Sequence, residues 1–158
     1  MHEVQAPHPL AGPRPWIFLA GSIDNGAAEP WQQAFVARMR AFSGTLLNPR
    51  RADWDASWKQ SIEDLRFREQ VEWELAALET CDLIVMYFAP ASKAPITLLE
   101  LGLFAPHHTH RRGGSLVVAC PEGYWRRGNV EVVCNRYEIP LVDSFEALVL
   151  EAERHVSG

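Results

Sequence analysis

An α/β sandwich built on a parallel sheet is the fold class these 158 residues predict. Three observations carry it. Short apolar runs alternate with amphipathic helical stretches along most of the chain, the pattern of repeated βα units. Two of those runs, Leu83–Phe88 (LIVMYF) and Ser115–Cys120 (SLVVAC), show no apolar/polar alternation, as expected of strands covered on both faces. The composition, 47% apolar and 22% charged, is that of an ordinary globular chain. A chain of this size buries about 68–70% of its unfolded surface, enough for a core without disulfide or metal staples.

Residues 1–15 carry four prolines, Pro7, Pro9, Pro13 and Pro15, and read as a flexible Pro-rich lead-in to one domain over residues 16–158. Trp16–Ala20 (WIFLA) is a continuous apolar run ending at Gly21, a buried-strand signal. Glu29 and Pro30 open a helix, with proline in a tolerated first-turn position. Trp31, Phe35, Met39 and Phe42 then form one apolar stripe, and Gly44 stops it. Thr45–Asn48 is a second strand, closed by Pro49. The loop NPRRADWDASW leads to a long helix from about Ser61 to Thr80. Leu83–Phe88 is the third strand, Pro95–Phe104 a helix, and Ser115–Cys120 the fourth strand. Gly128–Tyr137 is a short helix and Ile139–Val142 the last strand. Asp143 and Glu146 have capping-box spacing, and Phe145, Leu148, Val149, Ala152 and Val156 make the final helix amphipathic.

Five strands alternating with five helices imply a flavodoxin-like, three-layer sandwich with a five-stranded parallel sheet in the order 2-1-3-4-5. Such sheets bind ligands beyond the carboxyl ends of their strands, where the strand order switches. Those ends are Gly21-Ser22, Asn48-Pro49-Arg50, Phe88-Ala89-Pro90 and Pro121-Glu122.

A net charge of −5 lacks the concentrated basic face that a nucleic-acid polymer requires. Small anionic or neutral ligands stay open. Cys81, Cys120 and Cys134 are odd in number, widely spaced and outside any CxxC, so neither a disulfide framework nor a zinc knuckle is signalled. No apolar run reaches the length of a membrane span, and the N-terminus lacks the pattern of a signal peptide. The expected location is cytoplasmic.

Glu100 is the only charged residue between Ile96 and Ala105, so the helix reads as buried nearly all round. A carboxylate in its middle must pair with a cation or backbone donor, or serve chemistry, because an unpaired buried charge is costly. In the preceding helix Phe67, Val71, Glu74 and Leu78 fall on one stripe, with Gln70 one turn before Glu74. A solvated glutamate reaching past the stripe is the plain alternative for Glu74. Together the two carboxylates flank the central strand, and paired carboxylates are a common means of breaking a glycosidic bond. Gly21-Ser22 permits close ligand approach but lacks GxGxxG spacing. Arg50, Arg51, Trp54 and Trp58 in the loop suit either an anionic or aromatic ligand or ordinary packing. His107, His108 and His110 read as a solvent-facing loop, with no further ligand beside them to complete a metal site.

The segments WIFLAGS, NPRR-x-DW, EQ-x-EWEL, EWELAALETCDLIVMYFAP, PIT-LLELG and WRRGNVEVVC resemble the nucleoside 2-deoxyribosyltransferases, over about residues 16–150. Of these, NPRR-x-DW, EQ-x-EWEL, PIT-LLELG and WRRGNVEVVC look more like the deoxyribosyltransferase-like branch found in bacteria and fungi. The resemblance implies a flavodoxin-like fold and transfer of 2-deoxyribose between nucleobases without a cofactor or metal. Glu100 matches the nucleophile of the family's ELG motif. Glu74, eight residues before Asp82, matches an aspartate that contacts the nucleoside. Asn129 in RRGNVE resembles an asparagine that reaches into a neighbouring subunit's site, implying a homodimer or larger homo-oligomer. Phe18 stands where better-known members often carry a tyrosine. Those members also place an aspartate six residues before the nucleophile, where this chain has Ala94. Leaving-group protonation then falls to another group, with Glu74, Asp53 and Asp24 as candidates.

The expected site is Glu100 and Glu74 for catalysis, with Phe18, Gly21, Ser22, Asn48, Arg50, Asp53, Trp54, Gln70 and Asn129 around the substrate. The first functional reading is a transferase acting on a deoxynucleoside and a free nucleobase. The second is an N-glycoside hydrolase of deoxynucleosides or their monophosphates, with Arg50, Arg51 and Ser22 at the phosphate. The third is a non-catalytic nucleotide-binding module.

Overall fold

The computed structural model describes residues 1–23, 29–110 and 116–157. Its sheet is parallel throughout and has six strands, one more than expected. They are β1 (His2–Gln5), β2 (Trp16–Gly21), β3 (Thr45–Asn48), β4 (Leu83–Tyr87), β5 (Leu116–Ala119) and β6 (Leu141–Val142). The order across the sheet is β1-β3-β2-β4-β5-β6. The five strands legible as apolar runs keep the expected relative order, and β1 adds an edge beside β3.

The extra strand lies in the segment read as a flexible lead-in. His2 to Gln5 pair in parallel register with Thr45 to Asn48. Only Val4 of the four is buried, since an edge strand has few positions to cover. An apolar-run search therefore cannot find it. The prolines that follow have no backbone N–H to pair, and donors from the domain take the segment's carbonyls. Trp73 Nε1 donates to the His8 carbonyl at 2.7 Å, and Thr45 Oγ1 to the Pro13 carbonyl at 2.7 Å. Arg14 pairs with Asp82 at 2.7 Å.

Helices α1 (Trp31–Arg38), α2 (Leu65–Thr80), α3 (Pro95–Phe104), α4 (Arg127–Arg136) and α5 (Phe145–Ser157) cover both faces. A 3-10 segment, Ala105–His110, continues α3. Alternate strand residues sort into two cores. Phe18, Ala20, Ile84, Met86 and Val118 pack with residues of α2, α3 and α4, among them Trp73, Leu101 and Val130. Ile17, Leu19, Val85 and Val117 pack with residues of α1 and α5, among them Phe35 and Leu148. Both crossovers around β4, through α2 and through α3, therefore lie on the same face.

Three local expectations change. The long helix begins at Leu65 rather than near Ser61, because Asp64 caps it: its carboxylate accepts from the N–H groups of Arg66 at 3.1 Å and Phe67 at 3.2 Å. At α5 the cap is Ser144, not Asp143, with Ser144 Oγ accepting from Ala147 N at 3.2 Å. Helix α3 is not buried all round. Thr97, Glu100 and Leu101 are buried, whereas Ile96, Leu99 and Leu103 are 59%, 59% and 47% exposed. Its uniform apolarity reflects two apolar faces of different fate.

Candidate active site

Glu74 on α2 and Glu100 on α3 lie near enough for the charge of Glu74 to act on Glu100, and Gln70 links Glu74 to the chain just past the end of β3. Gln70 locates the pair. Its Nε2 donates to the Pro49 carbonyl at 2.8 Å, just past β3, and to Glu74 Oε1 at 2.8 Å. The i, i+4 spacing puts both side chains on one face of α2. Gln70 is buried, and its Oε1 has no partner among the described residues.

Glu100 is 8% exposed and Glu74 partly so. Burial pushes the Glu74 carboxyl up to about 7, against the opposing pull of the Gln70 N–H. Burial pushes Glu100 well above the ordinary carboxyl range, and the nearby negative charge of Glu74 pushes it further. The charge on Glu74 therefore bears on the ionisation of Glu100. Losing one proton leaves a monoanionic pair that combines an acid and a base, the proton inventory of a two-carboxylate glycosyl-transfer site.

The strand ends form a rigid floor. Ser22 is fully buried and its hydroxyl is engaged, donating to the Tyr87 carbonyl at 3.5 Å and accepting from Ala89 N at 3.1 Å. It fastens the end of β2 to β4. Gly21 adopts φ +152°, and an added Cβ would lie 2.5 Å from the Tyr87 carbonyl oxygen and 2.7 Å from the Trp31 ring. Asn48 is buried and structural, donating to Glu3 Oε1 at 2.8 Å and accepting from Arg50 N at 3.0 Å. Arg50 donates to the Glu29 carbonyl at 3.3 Å. Phe18 is wholly buried against Trp73, with ring centroids 6.4 Å apart.

The loop after β3 is organised around Arg51. Its guanidinium meets Asp53 in a two-point contact, 2.9 Å at each point, and lies 4.9 Å from the Trp58 ring centre. Trp54 packs against Trp58 at 5.1 Å, and both indole N–H groups are buried without an acceptor among the described residues. Arg51 holds the exposed Asp53 carboxyl below its ordinary range, which makes Asp53 a poor proton donor near neutrality. Asp24, the other loop candidate, lies outside the described residues.

Ala94 is the N-cap of α3, buried and left-handed at φ 43°. It offers no cap side chain and no proton. Asn129 is exposed on α4 and lines a groove of about 320 Å³ with Leu98, Leu101, Gly102, Arg126 and Val130. The carboxyl pair does not line that groove. His107 is exposed, whereas His108 is buried near Glu138 and His155, and that burial lowers its proton affinity.

Two features escape a reading of the sequence. The Pro49 carbonyl orients Gln70, but a backbone acceptor leaves no residue-type signal. Tyr87 donates its hydroxyl to Glu29 Oε1 at 3.2 Å, with its own proton held up to about 12 by burial and that charge. It hides inside the apolar run of β4.

No curated protein matches this chain in sequence. A crystal structure of a conserved protein from Enterococcus faecalis V583 has the same fold, with a TM-score of 0.57 at 14% identity, covering 88% of this chain and 97% of that one. Residues 14–124 match the family described as nucleoside 2-deoxyribosyltransferase-like, a stretch that holds β2 through β5 and both carboxyl groups. The chain belongs to that nucleoside 2-deoxyribosyltransferase-like family.

Proposed function

We propose that this protein moves 2-deoxyribose between nucleobases through a covalent glycosyl-enzyme on Glu100. The observation that carries the reading is that Glu74 and Glu100, on two helices of a family member, are both desolvated and near enough for the charge of Glu74 to act on Glu100. In the first step a Glu100 carboxylate oxygen forms a bond to C1′ of a deoxynucleoside. The C1′–N bond breaks, its electron pair goes to the base nitrogen, and Glu74 supplies that nitrogen with a proton. In the second step an acceptor base attacks C1′ from the face the first base left. Its N–H proton passes to Glu74 and Glu100 is released. Two displacements at one carbon give net retention and divide a difficult substitution into two easier ones. Each proton taken is returned, so the cycle needs no external reactant.

Glu74 takes the role of acid because, among the described residues, Ala94 carries no proton and Asp53 is held ionised by Arg51. The substrates are a deoxynucleoside and a free nucleobase. We also propose a homo-oligomer in which Asn129 completes a neighbouring subunit's site. The exposed apolar side chains Ile96, Leu99, Leu103, Trp125 and Val132 on α3 and around α4 support a face that packs against a second copy.

Glu100→Gln keeps nearly the shape of the side chain and removes the nucleophile. Exchange between a purine deoxynucleoside and a second free base, followed by chromatography, is expected to fall roughly 10⁴-fold or more. Intact-mass measurement should show a deoxyribosyl adduct on the wild-type chain and none on the variant. More than a tenth of wild-type exchange in the variant overturns the role of Glu100. Fast base release with no acceptor present would instead mark hydrolysis.

A further inference from the structure

We propose that Gln70 is a positioning residue that assigns the charge within the carboxyl pair: it holds Glu74 as the resting anion and leaves the resting proton on Glu100. This deepens the reading of the site given above and rests on it.

The orientation of the Gln70 amide is fixed by its partners. A backbone carbonyl can only accept, so the group facing the Pro49 oxygen at 2.8 Å must be the Gln70 Nε2. The same nitrogen reaches Glu74 Oε1 at 2.8 Å, so both of its hydrogens are committed. Gln70 is 3% exposed, and its amide is anchored to the end of β3. It therefore presents a fixed N–H to one carboxyl of the pair and not the other. A donated N–H favours the ionised form of the carboxyl that receives it. Among the described residues, none donates a hydrogen bond to Glu100.

The charged groups on surrounding elements do not reverse this bias. From α3, the titratable group facing Glu74 is Glu100 itself. In the loop after β3, Arg51 is engaged by Asp53 and Glu69, and Arg50 donates to the Glu29 carbonyl. From the N-terminal segment, His8 meets α2 through its carbonyl, which accepts from Trp73. Burial, the Gln70 bond and the partner carboxyl are what set the two ionisations.

The catalytic consequence is that the nucleophile is stored in protonated form. On substrate binding the Glu100 O–H bond breaks and a Glu74 O–H bond forms. One proton transfer thus frees the nucleophile and arms the acid. That same proton then goes to the departing nitrogen as the C1′–O bond forms and the C1′–N bond breaks. Nothing else is gained or lost.

The test is a pH titration of protein carrying ¹³C-carboxyl glutamate, followed by NMR, with Glu74→Gln and Glu100→Gln used to assign the two signals. In the wild-type protein the Glu74 signal is expected to ionise first. If Glu100 ionises first, the proposal is overturned, and no substrate or activity is needed to see it. In Gln70→Met, which keeps the length and removes the donor, the Glu74 midpoint should rise by about one pH unit. The acid limb of the exchange profile should rise with it, while kcat falls about tenfold and KM changes less than twofold. An unshifted Glu74 midpoint in a folded Gln70→Met protein overturns the proposal. Should that variant not fold, the order of ionisation in the wild type still decides. Loss of the transferase reading, through an active Glu100→Gln protein, leaves the order of ionisation unchanged, so the two failures are separable.

Discussion

Burial of a carboxyl group that prefers its neutral form makes folding depend on pH, and Glu74 and Glu100 both do so. Each binds its proton more tightly folded than unfolded. The folded state therefore holds more protons once pH exceeds the ordinary carboxyl value, and stability falls as pH rises. The cost is absent below about 4.5, grows through the Glu74 value of about 7, and continues to grow as Glu100 ionises. A shift from 4.5 to about 7 corresponds to roughly 3 kcal/mol at most. Replacing either carboxyl by its amide removes a charge that the fold resists. At pH 8, Glu74→Gln and Glu100→Gln are expected to melt about 5 °C above wild type, at about 2–4 °C per kcal/mol for a chain of this size. The gain should vanish near pH 4. Scanning calorimetry at the two pH values checks it, and a variant that melts no higher than wild type at pH 8 contradicts the buried pair. A site less stable than its neutralised form is what the proposed reaction, which needs the charge, would leave in the fold.

Among elements, α2 carries the argument because it presents both Gln70 and Glu74. Its start is set by Asp64, whose carboxylate takes two first-turn N–H groups and is held below its ordinary range by them. Asp64→Ala should lower the midpoint of urea unfolding, as loss of an N-cap does. Exchange activity should stay within about twofold of wild type, since Glu74 lies more than two turns further along. A tenfold loss of activity would mean that the cap orients the site directly. The same helix illustrates how far the sequence reads. The Phe67–Val71–Glu74–Leu78 stripe was enough to place Glu74 at the packed face. The bounds of β3 and α3 also follow directly from flanking Gly44, Pro49 and Pro95. What escapes is what apolarity does not encode. β1 has one buried residue of four, and the Ser144 cap competes with an equally plausible Asp143. The coupling of Glu74 to Glu100 depends on two helices meeting, which no local spacing reports. Helix α3 is legible as apolar but not as two-sided, because an exposed apolar face has the same composition as a covered one.

At the scale of the whole molecule, the proposed role of Asn129 is what would tie that uncovered face to the proposed chemistry. The exposed Ile96, Leu99 and Leu103 lie on α3, the helix that also carries Glu100, and Asn129 lines the α3–α4 groove. A two-fold interface uses the same patch on both subunits, so a residue on this side of one copy meets the corresponding side of the other. If Asn129 serves the partner's site, each site contains Glu100 of one subunit and Asn129 of the other. Glu100→Gln and Asn129→Ala homodimers are then both impaired at every site. In a mixed dimer, one site carries both lesions and the other carries neither. Random mixing makes about half of the dimers mixed and leaves half of their sites intact, so about a quarter of wild-type activity should return. Co-refolding equal amounts of the two variants and measuring base exchange per subunit gives the answer. An Asn129 that acts within its own subunit returns no activity on mixing, because every site then keeps one lesion. Sedimentation at the assay concentration supplies the second arm: a fully active monomer would remove the shared site and leave the exposed α3 face to a different partner.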